Sequence, residues 1–533
     1  MARLWQLGVQ EVRPGTYFRT SSGDVTTEGA INGIVAIAYQ SNWGAINTVV
    51  DISPEDMNNL RNIVGTGSGY EAIRQAFIGG ALKVRAVRVG VEGQGKTARK
   101  GVYSSKVKAY KTKDDGTLDL DASGKAQFKI TDAPAFKIYA KYPGTREFKA
   151  SVFTNPVNKK RQLSIYEGNY LVESFTVAAG EKESIKFVNA INSESKYFTA
   201  KHLLKQVVTN ATTGKDELTT KDLGTRVSDF AQKSFGSGAN PYPAGETSYG
   251  AGVYSTALEA LERYNWNVVI ADTNSASVHS MLNEFVIQSY ETGRFGIAVI
   301  GGQSSKLLFS TSDEVGRVDY ATALNDWRTV YVLGGWFGTD GKKYDGYKAA
   351  ARIAGMVAGC ESNASITHLV ISGAFRPLDN LTNGEMIQAE EGGCVVLSPN
   401  EDGQVWVDNA NTTLVTLGND QDEGWKKIRR TKCRFELMSR VNRTCDKLIG
   451  RLNNDAHGRA TIVTAMTTVI REMIAEHKLF DGSYAEEDSR YKPEGDHAYF
   501  VLHIGDIDSL EKIYLDYTFS YANPFSELDV VTT

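Results

Sequence analysis

Residues 30–39 read AINGIVAIAY, an uncharged run bounded by the turn signal Ser41-Asn42-Trp43-Gly44. A continuous apolar stretch of this kind, without alternation, is read as a strand buried on both faces, as in a parallel sheet covered by helices. The flanking chain agrees. Ser53 precedes Pro54, Glu55 and Asp56, which supplies an N-cap, a proline at the first helical position and acids in the first turn. A second helix is predicted over 70–77, ended by Gly79-Gly80, and then a strand over 82–89. The same alternation returns later: helices at 255–264, 278–290 and 345–360, and strands at 267–271, 295–300 and 329–333. Such alternation means parallel strands with helices laid across them.

Between about 96 and 240 the character changes. Short alternating segments (128–130, 136–140, 163–166, 171–175) are separated by DDG, SGK, YPGT and EGN turns, which predicts an all-β insertion. Beyond 400 the order is strands at 405–407 and 413–417, helices at 431–452 and 459–479, then strands at 497–504 and 512–521. The reading is therefore a multidomain α/β and α+β chain. A helix-covered mixed sheet carries an all-β insertion domain and an α+β C-terminal domain, with extended N- and C-terminal arms. The expected divisions are an arm at 1–25, an α/β domain from 26–95 and 241–400, the insertion at 96–240, the C-terminal core at 401–510, and a strand and arm at 511–533.

The two ends carry apolar residues in an extended pattern. At the C-terminal end Ile513, Leu515, Tyr517, Phe519 and Tyr521 alternate with Lys512, Tyr514, Asp516, Thr518 and Ser520, a half-buried strand, and Val530 and Val531 follow. Near the other end Val9, Val12, Tyr17 and Phe18 surround Pro14 and Gly15 with no helical period. Chain ends fray unless something holds them. Val12, Tyr17, Phe18, Ile513, Leu515, Tyr517, Phe519, Val530 and Val531 are accordingly expected to add as strands to other copies of the chain.

The totals are those of an ordinary globular protein of several units: 533 residues, 41% hydrophobic and 23% charged. A net charge of −4 argues against bulk nucleic-acid binding. No run approaches the roughly 18 apolar residues of a membrane-spanning helix, and no secretory leader is read at the N-terminus. Cys360, Cys394, Cys433 and Cys445 form no C-x-x-C pair and are expected as reduced, buried thiols.

Two patterns imitate other functions. Gly90 to Thr97 (GVEGQGKT) fits the phosphate-binding loop G-x-x-x-x-G-K-[ST], with Lys96 for phosphates, Thr97 for a metal and Val268 to Asp272 as an acidic strand end. That loop works only where a helix begins directly after the lysine. Here Ala98 to Ser105 has no apolar helical face, and Lys83, Arg85 and Arg88 do not suit a central strand before it. The stretch is expected as a flexible hinge, and nucleotide hydrolysis as an alternative function. The seven histidines show no metal spacing, and Glu390-Glu391 and Glu486-Glu487 read as solvated loops. No catalytic residue, metal or cofactor is assigned.

The second pattern runs from Trp425 to Arg451: ten basic residues against Glu436 and Asp446. Phe435, Met438, Val441, Cys445, Leu448 and Leu452 form an apolar seam, which leaves the other faces positive. Nucleic acid is one alternative partner. Aromatics for base stacking are not interleaved, so an acidic protein surface fits better. From Asp508 onward five acids face one lysine, Lys512. A subunit with an acidic end and a basic helix can bind its copies head to tail, which builds rings or helical filaments.

Five stretches, in this order, resemble contractile tail sheath proteins of phages, prophages and R-type bacteriocins, most closely those of Gram-positive hosts. They are RPGTY (13–17), AINGIVAIAYQSNWG (30–44), YPGT (142–145), YKAAARIAGMVAG (347–359) and GWKKIRR (424–430). The resemblance spans nearly the whole chain. It implies a structural, non-enzymatic subunit that stacks as hexameric rings around a tail tube and contracts to drive the tube through a cell envelope. It further implies arms exchanged between neighbours and an outward-facing insertion. The implied partners are the chain itself, a tail tube protein, and baseplate and tail terminator proteins, without nucleic acid or membrane insertion. The implied setting is the virion tail, assembled in the bacterial cytoplasm. By analogy Arg429, Arg430, Arg434, Arg440, Arg443, Lys447 and Arg451 are the tube-facing candidates.

Overall fold

The computed structural model describes residues 3–4, 17–18, 33–517 and 519. Seven strands form the central sheet in the order Cys394–Val395, Thr329–Val332, Ile297–Gly301, Val268–Ala271, Ile34–Tyr39, Lys83–Arg88 and Val49–Ile52. All neighbours are parallel except the last pair. The run at 34–39 is apolar throughout because both faces are covered: Val35, Ile37 and Tyr39 enter one core, Ala36 and Ala38 the other. Helices Ser68–Gly79 and Tyr347–Gly359 close the first face, and Ala251–Leu261 and Ala276–Glu291 the second. The two helices of the first face touch backbone to backbone. A Cβ on Gly355 would stand 2.1 Å from the Ala76 carbonyl oxygen, and one on Gly79 2.3 Å from that of Arg352. Only glycine permits that approach.

The strand Lys83–Arg88 lies inside this sheet, contrary to the expectation drawn from its charges. Lys83 and Arg85 pair with Asp51 on the edge strand Val49–Ile52. Arg88 is 0% exposed and its guanidinium donates to the carbonyls of Ser41 (3.1 and 2.8 Å), Gly44 (2.8 Å) and Pro143 (2.8 Å). Buried charge is tolerated where every donor finds an acceptor.

Among the described residues the insertion has three sheets: Phe198–His202, Phe128–Ala140 and Arg99–Tyr110 in one, Tyr170–Val177, Arg161–Glu167, Lys149–Thr154 and Phe230–Ser234 in the second, and the antiparallel pair Lys205–Thr209 and Asp216–Asp222 in the third. It is not all-β. Helix Glu183–Glu194 places Phe187 and Ile191 in the shared core beside Phe136 and Phe198. Trp43, from the central region, enters the same core and meets Tyr142 and Phe148 edge-on at 5.1 and 5.5 Å. The expected flexible hinge at 90–97 is instead tied down. Lys96 and Ala239 exchange backbone hydrogen bonds at 3.0 and 2.7 Å, pairing the entry of the insertion with its exit.

Beyond 400 the central core continues. Val405, Val407, Ala410, Leu414, Trp425, Ile428 and Phe435 all belong to it, so the expected boundary at 400–401 cuts through continuous packing. The predicted strand at 413–417 is a loop, and Asn325 Oδ1 accepts from Val415 N and Thr416 N at 2.8 Å. The first long helix runs Ile428–Asp446 rather than 431–452, and Gly450, at φ +73°, lies in the turn that follows. With helix Ala456–Ala475 it forms a separate small core around Leu437, Val441, Met466 and Ile470. A two-stranded antiparallel sheet, Tyr484–Glu487 with Phe500–His503, lies on that core. Of the cysteines, Cys394 and Cys433 are buried while Cys360 and Cys445 are half-buried.

Candidate assembly interface

In an open parallel sheet, ligands enter outside the carboxyl ends of the strands where the strand order reverses. Here that point lies between Ile34–Tyr39 and Val268–Ala271. Asp272, just past it, is buried and accepts from Gln40 N at 2.7 Å, Ser68 Oγ at 2.5 Å and Tyr254 Oη at 2.8 Å. Burial pushes its carboxyl up to about 6. Both oxygens of the Asp272 carboxylate are thus engaged by groups of the protein itself. At Gly90 to Thr97, the segment after Lys96 leads not into a helix but into the strand Arg99–Tyr110, so no row of helix N-terminal amides faces a phosphate. Glu390 closes helix Asn383–Glu391 rather than standing in a solvated loop. Burial, and then Asp408, raise its carboxyl to about 7. Glu486 and Glu487 likewise sit in the strand Tyr484–Glu487.

The basic helix divides in two. Its first half faces inward. Arg429 and Arg430 are buried, and Arg430 Nε donates to Asp506 Oδ2 at 2.6 Å. Lys432 is buried and donates to the carbonyls of Cys360 and Glu361 at 2.5 and 3.1 Å. Burial lowers its ammonium to about 8. Arg434 lies over the Trp425 ring at 4.0 Å. Arg440 forks onto Glu476 with two bonds of 2.8 Å and also pairs with Glu436. Arg429, Arg430 and Arg434 thus serve the interior, and Arg440 is engaged within the subunit. Only Arg443, Lys447 and Arg451 of the seven tube-facing candidates are exposed. Asp506, which holds Arg430, and Glu476, which holds Arg440, lie 76 and 36 residues away, too far for a local pattern to disclose, whereas Trp425 beneath Arg434 and Glu436 beside Arg440 are near in sequence.

The C-terminal segment behaves differently from the half-buried strand expected over 512–521. Residues 511–517 adopt no strand. Ile513, Leu515, Tyr517 and Phe519 are 69%, 67%, 69% and 91% exposed, and Tyr514 on the other side is exposed as well. Val12, Tyr521, Val530 and Val531 lie outside the described residues. Tyr17–Phe18 pairs in parallel with Arg3–Leu4. Near the foot of the C-terminal segment, the sheet Tyr484–Glu487 with Phe500–His503 has a free edge on each strand among the described residues. Phe500 and Leu502 are only half-buried against the helices. A two-stranded sheet is marginal by itself and gains from further strands.

Comparison with known proteins gives a consistent picture. Residues 247–413 match the family described as phage tail sheath protein central domain. No curated protein matches the sequence. The sheath tail protein of Desulfitobacterium hafniense has a similar structure at TM-score 0.60 and 14% identity, covering 92% of this chain and 100% of that one. The sheath tail protein of Listeria innocua aligns at 0.59 and 15%, covering 91% and 96%. Among the described residues no helix is long and apolar enough to cross a membrane. The resemblance to tail sheath proteins read from the five stretches is thus met by a family match over residues 247–413 and by a fold similar, over nearly the whole chain, to that of two sheath tail proteins.

Proposed function

We propose that this protein is the structural subunit of a contractile sheath, stacked as hexameric rings around a tail tube. Its contraction drives the tube through a cell envelope. One observation carries the reading: the chain holds both an exposed apolar segment, Ile513 to Phe519, and a two-stranded sheet whose edges are free among the described residues. Apolar alternation left in water on one copy, and unpaired strand edges on another, are complementary halves of a strand-exchange contact. Val12, Tyr17 and Phe18 would serve the N-terminal arm in the same way, and Val530 and Val531 the end of the C-terminal one.

The tube-facing role falls to Arg443, Lys447 and Arg451, the exposed remainder of the basic stretch. Contraction would be a rigid-body rotation of subunits between two lattices. The Trp43 knob and the Arg88 clamp suit that, since they bind the insertion to the central sheet as one body. Tail tube, baseplate and terminator proteins are the expected partners in a virion tail assembled in the host cytoplasm.

Electron microscopy of the purified protein tests the reading. Tubes with a helical repeat are expected. Persistent monomers over a wide concentration range would overturn it. A chain lacking residues 516–533 is expected to stay folded and fail to polymerise.

A further inference from the structure

The C-terminal segment is held to the body as far as Glu511. Gly505 N donates to Ser483 Oγ at 2.9 Å, and Asp506 is held by Arg430. Leu510 is exposed, so apolar packing does not hold the next turn. A groove of about 560 Å³ is lined by Asp508 to Lys512 together with Glu390 and Lys427. The turn is held by one carboxylate. Glu511 forms an ion pair with Lys427 and accepts hydroxyls from Ser365 at 3.2 Å, Thr367 at 3.2 Å and Ser509 at 3.0 Å. Burial alone would raise the Glu511 carboxyl. The hydrogen bond and charge of Lys427, with the hydroxyls, outweigh that and hold it below the usual range. From Ile513 to Tyr517 no hydrogen bond joins the segment to another described residue, and the side chains stand in water.

Resting on the sheath reading, we propose that Glu511, clamped by Lys427, Ser365 and Thr367, is the pin where the fixed body becomes a free arm. It thereby sets how far that arm reaches toward a second copy of the chain. Without the pin the free tether starts after Asp506 and gains about 17 Å of reach at about 3.3 Å per residue. A longer, slacker tether lets bound neighbours shift relative to one another, so the expected loss is of order and not of binding. Glu511 and Lys427 are positioning residues in this account, since they orient the strand that makes the contact.

The test uses the full chain with Lys427→Ala, Glu511→Gln and the charge swap Lys427→Glu with Glu511→Lys. Amide exchange over 507–512 in the unassembled subunit is expected to rise about tenfold in the single variants, the scale of one charge-assisted hydrogen bond. Trypsin should also cut faster at Lys512. Tubes should still form but lose long-range helical order, and the swap should restore both readouts. Unchanged exchange and unchanged order in Lys427→Ala would overturn the pin, as would a swap that restores neither. Wild-type chain that never forms tubes would overturn the sheath reading, while the exchange measurement judges the pin independently.

Discussion

The central sheet and the C-terminal sheet are built from the same kinds of residue and end in opposite states. In the centre, the strands Ile34–Tyr39, Val268–Ala271, Ile297–Gly301 and Thr329–Val332 are covered on both faces, and even Arg88 finds acceptors for its donors. At the C-terminal end, two short strands keep free edges among the described residues, and Ile513, Leu515, Tyr517 and Phe519 face water. One region is complete within a single chain, and the proposed strand exchange would have the other completed by a neighbouring copy. Stability should therefore reside in the first and assembly in the second, and substitutions can pull the two apart.

The largest effect is expected at the helix crossing of the central domain. Gly355→Leu forces a side chain into the Ala76 carbonyl, 2.1 Å from where its Cβ would lie. We expect loss of at least about 3 kcal/mol, read by urea denaturation, with soluble yield falling in parallel. Trp43→Ala comes next. It empties the joint between the central region and the insertion and should cost about 3–5 kcal/mol. The insertion should then exchange and melt separately from the central sheet.

A smaller, pH-dependent effect belongs to Asp272. Its folded carboxyl titrates near 6, above its ordinary value, so the native state keeps a proton that the unfolded chain releases. This contribution is fully present below about pH 4 and disappears as pH rises through 6, on the order of 2–3 kcal/mol in all. Denaturation curves between pH 4 and 7 should show the decline, and Asp272→Asn should flatten it. A slope unchanged in that variant would remove Asp272 as its source.

The smallest effect on stability, within about 0.5 kcal/mol, is expected for Ile513→Ser with Leu515→Ser, because neither side chain is buried in the isolated subunit. The same pair should abolish tube formation. If it instead lowered the melting temperature by several degrees, the segment would belong to its own subunit's core and the contrast between the two regions would fail.

What could be read from the sequence follows the same division. The strands at 34–39, 268–271, 297–301 and 329–332 were legible because burial on both faces writes itself as an unbroken apolar run. The helix over 347–359 was legible by its alanines and glycines, although the reason for Gly355 needed the partner helix. Charged residues misled wherever their partners were distant in sequence. Arg88 argued against a central strand until the Pro143 carbonyl was seen, and Arg430 looked solvent-facing until Asp506 was. The helix Glu183–Glu194 was missed inside a stretch of alternating segments. It carries Phe187 and Ile191 on one face, but lacks a side-chain N-cap to announce its start. Glu511 could not be singled out from its neighbourhood, since apart from Ser509 its clamp comes from the distant Ser365, Thr367 and Lys427.

The most direct measurement is a cryo-EM map of the assembled tubes. The account predicts that Ile513 to Phe519 of one copy lies hydrogen-bonded, as an added strand, against Tyr484–Glu487 or Phe500–His503 of a neighbour. A map in which that segment turns back onto its own subunit, with both edges of the small sheet unpaired, would contradict it.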